Sequence, residues 1–411
     1  MAHAIRITEF GGIEKMQWTE VEVGEPGAGE VRVRNTAVGL NFIDTYHRTG
    51  LYPNQLPLTL GMEGAGIVEK VGPKVKDLKV GDRVAYANPI GAYADVLLRP
   101  AERLVKIPAG VDDKVAASIM LKGMTAWYLC KRTYKVKKGD TIVVHAAAGG
   151  VGQILCQWAK ALGATVIGTV GSDSKVAIAK KCGCKHVIVL SRENLVARVK
   201  EITKGKGVPV VYDGIGKDTW DASLDCLSPR GMMVSFGNAS GPVTQINPGI
   251  LAAKGSLFLT RPTLFHYIAT RADLLAAARD LFRQRFGDLF AINALDDVKR
   301  LDRLARLVGL QRTDQMKFDV GKPLAQGRPF AHRFLHTVFA INAMTGLQQR
   351  NDILGRKGFR NAHQRDGGGI AATILRGSGD GGSCGVESVN DGHGAWLSRR
   401  ALFRNAPRNP P

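Results

Sequence analysis

Three glycines within four residues mark the richest chemical feature of this 411-residue sequence: His145-Ala146-Ala147-Ala148-Gly149-Gly150-Val151-Gly152. The run Thr141 to His145 before it is a continuous apolar strand pattern, as a buried parallel sheet requires. After it, Val151, Ile154, Leu155, Trp158, Ala159 and Leu162 recur at helical spacing, and Gly163 supplies a stop. A strand, a turn of small residues and a helix bring unpaired backbone N–H groups and a partial positive charge to one point, where small residues let a pyrophosphate come close. The pattern departs from the usual dinucleotide fingerprint at Ala147, where the first glycine would stand. The flanking strand and helix still point to a dinucleotide site covering Gly149, Gly150 and Val151.

The end of the next strand bears on which dinucleotide. Sites for the unphosphorylated form place an acid there, about 20 residues on, to hold the ribose 2′-OH. Here the sequence is Thr169-Val170-Gly171-Ser172-Asp173-Ser174-Lys175. No acid stands at Val170 or Gly171, and Ser172 and Lys175 can hydrogen-bond and neutralise a 2′-phosphate. NADPH is therefore expected over NADH. Asp173 argues mildly the other way, unless it caps the following helix.

These residues need a scaffold, and the chain supplies two kinds. Ala4 to Thr8, Met16 to Val23, Val31 to Gly39, Gly64 to Val71, Asp82 to Tyr86 and Ala92 to Leu98 read as short strands of a mostly antiparallel, partly closed β-barrel. From Lys114 the pattern turns helical. After Asp140 it alternates strand and helix down to a strand at Met232 to Phe236, which implies a parallel sheet with helices on both faces. The fold class expected is α/β: a Rossmann-like doubly wound sheet over 123–282 behind a small β-domain over 1–122.

Composition fits an ordinary globular chain, with 45% apolar and 23% charged residues. No apolar run is long enough for a membrane span, and Met1 to Arg6 lacks a signal core, so a cytoplasmic location is expected. The six cysteines are scattered as free thiols would be in a reducing compartment. Cys182-Gly183-Cys184 lacks the second ligand pair that zinc needs.

The net charge of +21 is unevenly spread. Residues 1–282 hold 36 basic and 25 acidic side chains; residues 283–411 hold 21 and 11, with 17 arginines and a single glutamate, Glu387. Helical spacing survives around Leu295 to Leu310 and, more weakly, Phe334 to Leu347. Beyond Asn351 the sequence becomes rich in Gly and Arg, a composition that buries too little apolar surface to order itself. Two readings compete for this aberrant, partly disordered tail: an appended segment whose arginines bind nucleic acid, or a segment read out of frame. The second is favoured, because no nucleic-acid motif is present and the arginines do not gather on one face.

Residues 1–282 resemble the zinc-free, zeta-crystallin-like quinone oxidoreductases of the medium-chain dehydrogenase/reductase superfamily. The resemblance rests on Gly39-Leu40-Asn41-Phe42-Ile43-Asp44-Thr45-Tyr46, Gly50 to Pro53, Gly61-Met62-Glu63-Gly64-Ala65-Gly66, Leu121 to Ala126, His145 to Gly152 and Val234 to Asn238. It implies a GroES-like N-terminal domain, a homodimer, and hydride transfer to a quinone or another conjugated carbonyl. Zinc-dependent relatives carry Cys where Asn41 stands and His where Met62 stands, and the first 129 residues contain no Cys at all, so no metal is expected. By resemblance, Asn41, Tyr46 and Tyr52 line the reacting end. Phe42, Ile43, Asp44, Thr45, Tyr46 and Tyr128 touch the cofactor, as do Gly171, Ser172 and Lys175 at the adenosine phosphate. Phe236, Gly237 and Asn238 lie at the nicotinamide ribose.

Plainer roles stay open for several of these. Tyr46 and Tyr52 can be rim residues, Asn41 a turn cap, and Lys175 a solvated charge. His145 reads as a core histidine, and Glu63 as structural. No general acid is assigned; Tyr52 or solvent could protonate the product. Relatives have Tyr where Leu190 stands, with Arg192 a substitute nearby. They also return to the barrel with closing elements that nothing after Phe282 matches. Reduction of an enone or enal, or cofactor binding with nucleic-acid affinity and little turnover, are the alternatives.

Overall fold

A computed structural model of the chain describes residues 2–283. The expected tail, 283–411, lies outside them but for Arg283. The N-terminal elements are β1 (Ala2–Ile7), β2 (Gln17–Val21), β3 (Glu30–Gly39), α1 (Phe42–Thr49), β4 (Leu58–Thr59), β5 (Glu63–Val71), β6 (Arg83–Tyr86), β7 (Val96–Pro100) and β8 (Val105–Lys106). They form a three-stranded sheet, β2-β1-β4, and a five-stranded one, β7-β3-β5-β6-β8, with antiparallel pairing throughout. A bridge between Ala4 and Ala94 joins them, giving the expected partly closed barrel.

Two local expectations need correction. The strand placed at Ala92 to Leu98 begins only at Val96. The carbonyls of Ala92 and Ala94 are instead taken by the buried side-chain amide of Asn35, at 3.0 and 2.8 Å. A side chain thus replaces a ladder partner, which a period-two pattern cannot register. The segment from Phe42 to Thr49 is a helix, α1, that apolar periodicity did not mark. Its start is set by polar groups: the Asp44 carboxylate accepts from the Asn41 N–H at 2.9 Å, and Gly50 ends it in the left-handed region at φ 78°.

The helix α2 (Asp113–Tyr128) follows, capped by the Asp112 side chain on Lys114 N at 2.7 Å. It runs across the expected domain boundary at 122/123 rather than stopping there. Its buried face, including Met120, Met124 and Trp127, belongs to the same core as Val144, Trp158 and Tyr212 of the second layer.

The second layer comprises β9 (Thr141–Val144), α3 (Gly150–Ala161), β10 (Thr165–Val170), α4 (Val176–Lys181), β11 (His186–Val189), α5 (Leu195–Ile202), β12 (Val208–Asp213), α6 (Trp220–Asp225), β13 (Leu227–Ser235), α7 (Gly249–Ala253), β14 (Phe258–Thr260), α8 (Leu264–Tyr267) and α9 (Arg271–Arg283). The sheet is parallel with strand order β11-β10-β9-β12-β13-β14. The order reverses between β9 and β12, and ligands of such sheets bind beyond the carboxyl ends of the strands at that switch. The expected strands and helices of this layer recur with ends shifted by a few residues. Asp280 ties α9 back to α2 by accepting from Trp127 Nε1 at 3.0 Å and from Lys131 Nζ at 2.7 Å.

Candidate active site

The glycine turn sits at the carboxyl end of β9, on the switch point. Ala146 turns the chain at φ 48°, its carbonyl accepts from Gly149 N at 2.7 Å, and α3 begins at Gly150. The first N–H groups of α3 have no intrahelical acceptor. A Cβ on Gly152 would lie 2.2 Å from Ala146 O and 2.9 Å from Ala147 Cα, so only glycine lets helix and turn approach this closely. Gly150 is exposed and Gly149 and Val151 are partly so, which leaves the helix N-terminus open to an anion. These features fit a dinucleotide pyrophosphate.

At the end of β10, Gly171 and Lys175 are exposed and a Cβ on Gly171 would meet nothing within 4 Å. Ser172 Oγ lies 3.0 Å from Ser174 Oγ. The Asp173 carboxylate, which argued against a phosphate, is bound by the Arg192 guanidinium at 2.9 Å. Arg192 also pairs with Glu193 at 3.6 Å, and Leu190 beside it offers no polar group.

A second group of expected residues comes from α1 and the loop after it. Tyr46 Oη accepts from the backbone N–H of Asn238 at 3.0 Å, and the Tyr46 and Tyr52 rings pack edge-on with centroids 5.1 Å apart. The Asn238 carboxamide satisfies all its neighbours when its nitrogen donates to Gly237 O (2.9 Å) and its oxygen accepts from Tyr52 Oη (3.2 Å) and Arg261 Nη2 (3.1 Å). Arg261 also donates to Tyr52 Oη at 3.0 Å and to Ser235 O at 2.8 Å. Residues from the barrel and from the ends of β13 and β14 thus meet in one hydrogen-bonded cluster. Burial pushes the Tyr46 phenol up to about 12, so it stays protonated at neutral pH. Phe42 lies beside it, 51% exposed, with its ring 5.4 Å from that of Tyr46.

The other expected residues fall into different settings. Asn41 is buried, its Nδ2 donating to Glu63 Oε2 at 2.8 Å. The Asp44 carboxylate faces inward: Oδ2 accepts from Asn41 N and from Tyr93 Oη at 2.7 Å, while Oδ1 is buried with no partner. Its backbone N–H donates to Asn41 O at 3.1 Å, and burial raises its pKa to about 7. Thr45 Oγ1 donates to Phe42 O at 2.6 Å and Ile43 packs on the core. Tyr128 is 2% exposed and stacks on Tyr267 at 4.4 Å. Phe236 follows β13 and packs under Gly214, with Gly237 against the same glycine.

His145 is a core residue, as its place at a buried strand end suggests. Its ring nitrogens meet Thr169 Oγ1 at 3.0 Å and Ser223 Oγ at 2.9 Å, and burial lowers its pKa. Met62 is buried; with Asn41 it offers a thioether and a carboxamide where zinc favours thiolate and imidazole. Among the described residues no three His, Cys, Asp or Glu side chains gather as a metal-ion set. Arg261, Lys122 and Tyr93 escaped sequence reasoning. Arg261 and Tyr93 lie outside every motif, and only the fold brings Tyr93 to Asp44 of α1 and Arg261 to Tyr52 of the loop after it; Lys122 stood within a quoted motif but was given no role.

The alcohol dehydrogenase GroES-like domain matches residues 27–109, and the zinc-binding dehydrogenase family matches residues 150–282. A quinone oxidoreductase of Pseudomonas aeruginosa is 55% identical over 284 residues, covering 69% of this chain and 87% of the relative. A 2-haloacrylate reductase of Burkholderia sp is 50% identical over 293 residues, covering 69% and 87%. The crystal structure of Escherichia coli quinone oxidoreductase complexed with NADPH superposes with a TM-score of 0.67 at 52% identity, covering 68% of this chain and 86% of that one. With that much of each relative matched at such identity, on a barrel and a parallel sheet that meet at the same glycine turn, the chain belongs to the zinc-free quinone oxidoreductases of the medium-chain dehydrogenase/reductase superfamily.

Proposed function

We propose that this chain reduces quinones with NADPH, using no metal ion. The observation that carries the reading is the Tyr46–Tyr52–Asn238–Arg261 cluster, which stands at the same sheet edge as the open N-terminus of α3. Bound NADPH supplies the hydride. Gly149, Gly150 and Val151 hold its pyrophosphate on the helix N-terminus, and Ser172 and Lys175, with Arg192, neutralise the 2′-phosphate. Gly171 leaves room for the adenosine end. Phe236, Gly237 and Asn238 flank the nicotinamide ribose opposite Phe42, Ile43, Thr45 and the backbone of Asp44, with Tyr128 behind. Tyr46 fixes Asn238 through its backbone N–H. Tyr52 donates its proton toward the reduced acceptor while Arg261 Nη2 holds its oxygen in place. Asn41 closes the floor.

NADPH oxidation by the full chain, followed with a quinone, an enone and a 2-haloacrylate, tests this. Quinone-dependent turnover is expected; a chain that binds NADPH but turns over none of the three would refute the enzyme reading. The 50% identity to a 2-haloacrylate reductase supports conjugated carboxylates as a second acceptor class. A split into a GroES-like part and a dinucleotide-binding part is supported by the two family matches, 27–109 and 150–282, which put the boundary between 109 and 150, where α2 runs. An out-of-frame origin for 283–411 is tested by translating the DNA shifted by one base near codon 283. A homodimer through the exposed edge strand β14, where Phe258 is 58% exposed, is tested by sedimentation. No helix among the described residues is long and apolar enough to cross a membrane; a cytoplasmic location is supported by five buried free thiols and tested by fractionation. Nucleic-acid affinity rests on the +21 charge and is tested by salt-dependent binding.

A further inference from the structure

Glu63 is a carboxylate with no solvent contact at all, 0% exposed, at the start of β5. A lone buried charge is costly unless it is paired and hydrogen-bonded. Three groups answer it. Leu121 N donates to Oε1 at 2.8 Å, while Asn41 Nδ2 at 2.8 Å and Lys122 Nζ at 3.2 Å share Oε2. The Lys122 side chain, 17% exposed, runs from α2 past the phosphate cradle to reach this carboxylate. A Cβ built on Gly150 would lie 2.9 Å from Lys122 Cδ and 3.1 Å from Cε. Its methylenes therefore floor the first residue of α3, and its ammonium is hydrogen-bonded to the same oxygen as Asn41.

We propose that Lys122 is a cofactor-binding residue that shares its ammonium between Glu63 and the dinucleotide pyrophosphate, and so links the phosphate cradle to Asn41. An ammonium has three donors, and Glu63 is the one acceptor recorded for it among the described residues. A pyrophosphate on the N-terminus of α3 brings negative charge to the lysine stem, giving the ammonium a second anion to bind. As the ammonium leans toward it, Glu63 keeps its bonds to Leu121 N and Asn41, and the Asn41 amide becomes the main side-chain donor on Oε2. Dinucleotide binding would thereby tighten the start of α1, the element that carries Phe42 and Tyr46.

This rests on the cofactor placement proposed above, so the test begins with the NADPH affinity of the unmodified full chain. If that chain fails to bind NADPH, the placement itself is wrong and this inference falls with it. Given binding, Lys122→Met is expected to weaken NADPH affinity about tenfold and to lower the melting temperature, because Glu63 loses its counter-ion. Lys122→Arg is expected to hold affinity within about threefold. The double variant Lys122→Met with Glu63→Gln separates structure from binding: melting temperature returns toward the parent, while the tenfold loss of affinity stays. Glu63→Gln alone frees the Lys122 ammonium but sets an amide NH2 against Asn41 Nδ2, so its NADPH affinity is expected to fall by less than that of Lys122→Met. A double variant that regains parental affinity, a Lys122→Met chain that never lost it, or a Glu63→Gln chain weakened as much as Lys122→Met would each overturn the proposal and leave Lys122 a structural counter-ion.

Discussion

Adding one methyl at Gly152 should open the phosphate cradle. A Cβ there would sit 2.2 Å from Ala146 O and 2.9 Å from Ala147 Cα, about 1 Å inside ordinary contact with the oxygen. Both neighbours are backbone, and the Ala146 carbonyl is held by Gly149 N at 2.7 Å, so no side chain can swing aside. The helix must move off β9, or the turn must unwind from the φ 48° that Ala146 already occupies. Forcing volume into such a site costs about 1–3 kcal/mol, a fall of roughly 2–10 °C in melting temperature. Because the displaced atoms are the cradle itself, NADPH affinity should fall by at least about tenfold. Gly171→Ala is the control: its Cβ meets nothing within 4 Å, so melting should stay within about 1 °C of the parent. Thermal denaturation and NADPH titration on both full-length variants give the answer. A Gly152→Ala chain that melts and binds like the parent would refute the steric account of the cradle.

Tyr52→Phe should lower quinone turnover by about 100-fold while leaving NADPH affinity within about twofold, if its hydroxyl delivers the proton; equal turnover removes Tyr52 from that role. Lys175→Ala should cut the preference for NADPH over NADH by about tenfold and flatten the salt dependence of NADPH binding; an unchanged ratio would mean that Lys175 is a solvated charge. Asp44 supplies a pH test. Its folded pKa, raised from 3.8 to about 7 by burial, means that the folded chain holds a proton the unfolded chain releases. Stability is thus fully present below about pH 4 and is lost as pH rises from there through 7, by an amount on the order of 4 kcal/mol. Asp44→Asn should remove that slope between pH 4 and 7 in urea melts; parallel curves for the two proteins would place the Asp44 pKa near its ordinary value.

The parallel layer was legible residue by residue, because its strands are buried on both faces and its helices carry one apolar stripe, so both periods stand out in the sequence. The glycine turn was legible for the same reason: strand, turn and helix are consecutive, and Gly149, Gly150 and Gly152 act through backbone that local sequence dictates. The loop at Ala92 to Asp95 and the helix α1 were not, since the first is held by a distant Asn35 side chain and the second by Asp44 and Gly50 rather than by apolar spacing.

The sequence by itself determined that a dinucleotide cradle exists and that an acid is missing at the end of β10, whereas the match of Asn41 and Met62 to the Cys and His positions of zinc-dependent relatives came only from the family resemblance. The first two are statements about residue type at a fixed local spacing. Tertiary structure alone decided which residues share a site. Tyr52 meets Arg261 across 209 positions and Asn238 across 186, and Glu63 collects Asn41 and Lys122 from 22 and 59 positions away. It also turned the Asp44 carboxylate away from the cleft and bound Asp173 to Arg192. Such pairings depend on how the barrel folds onto the switch point of the sheet, a long-range outcome of burying both apolar faces that no local pattern encodes.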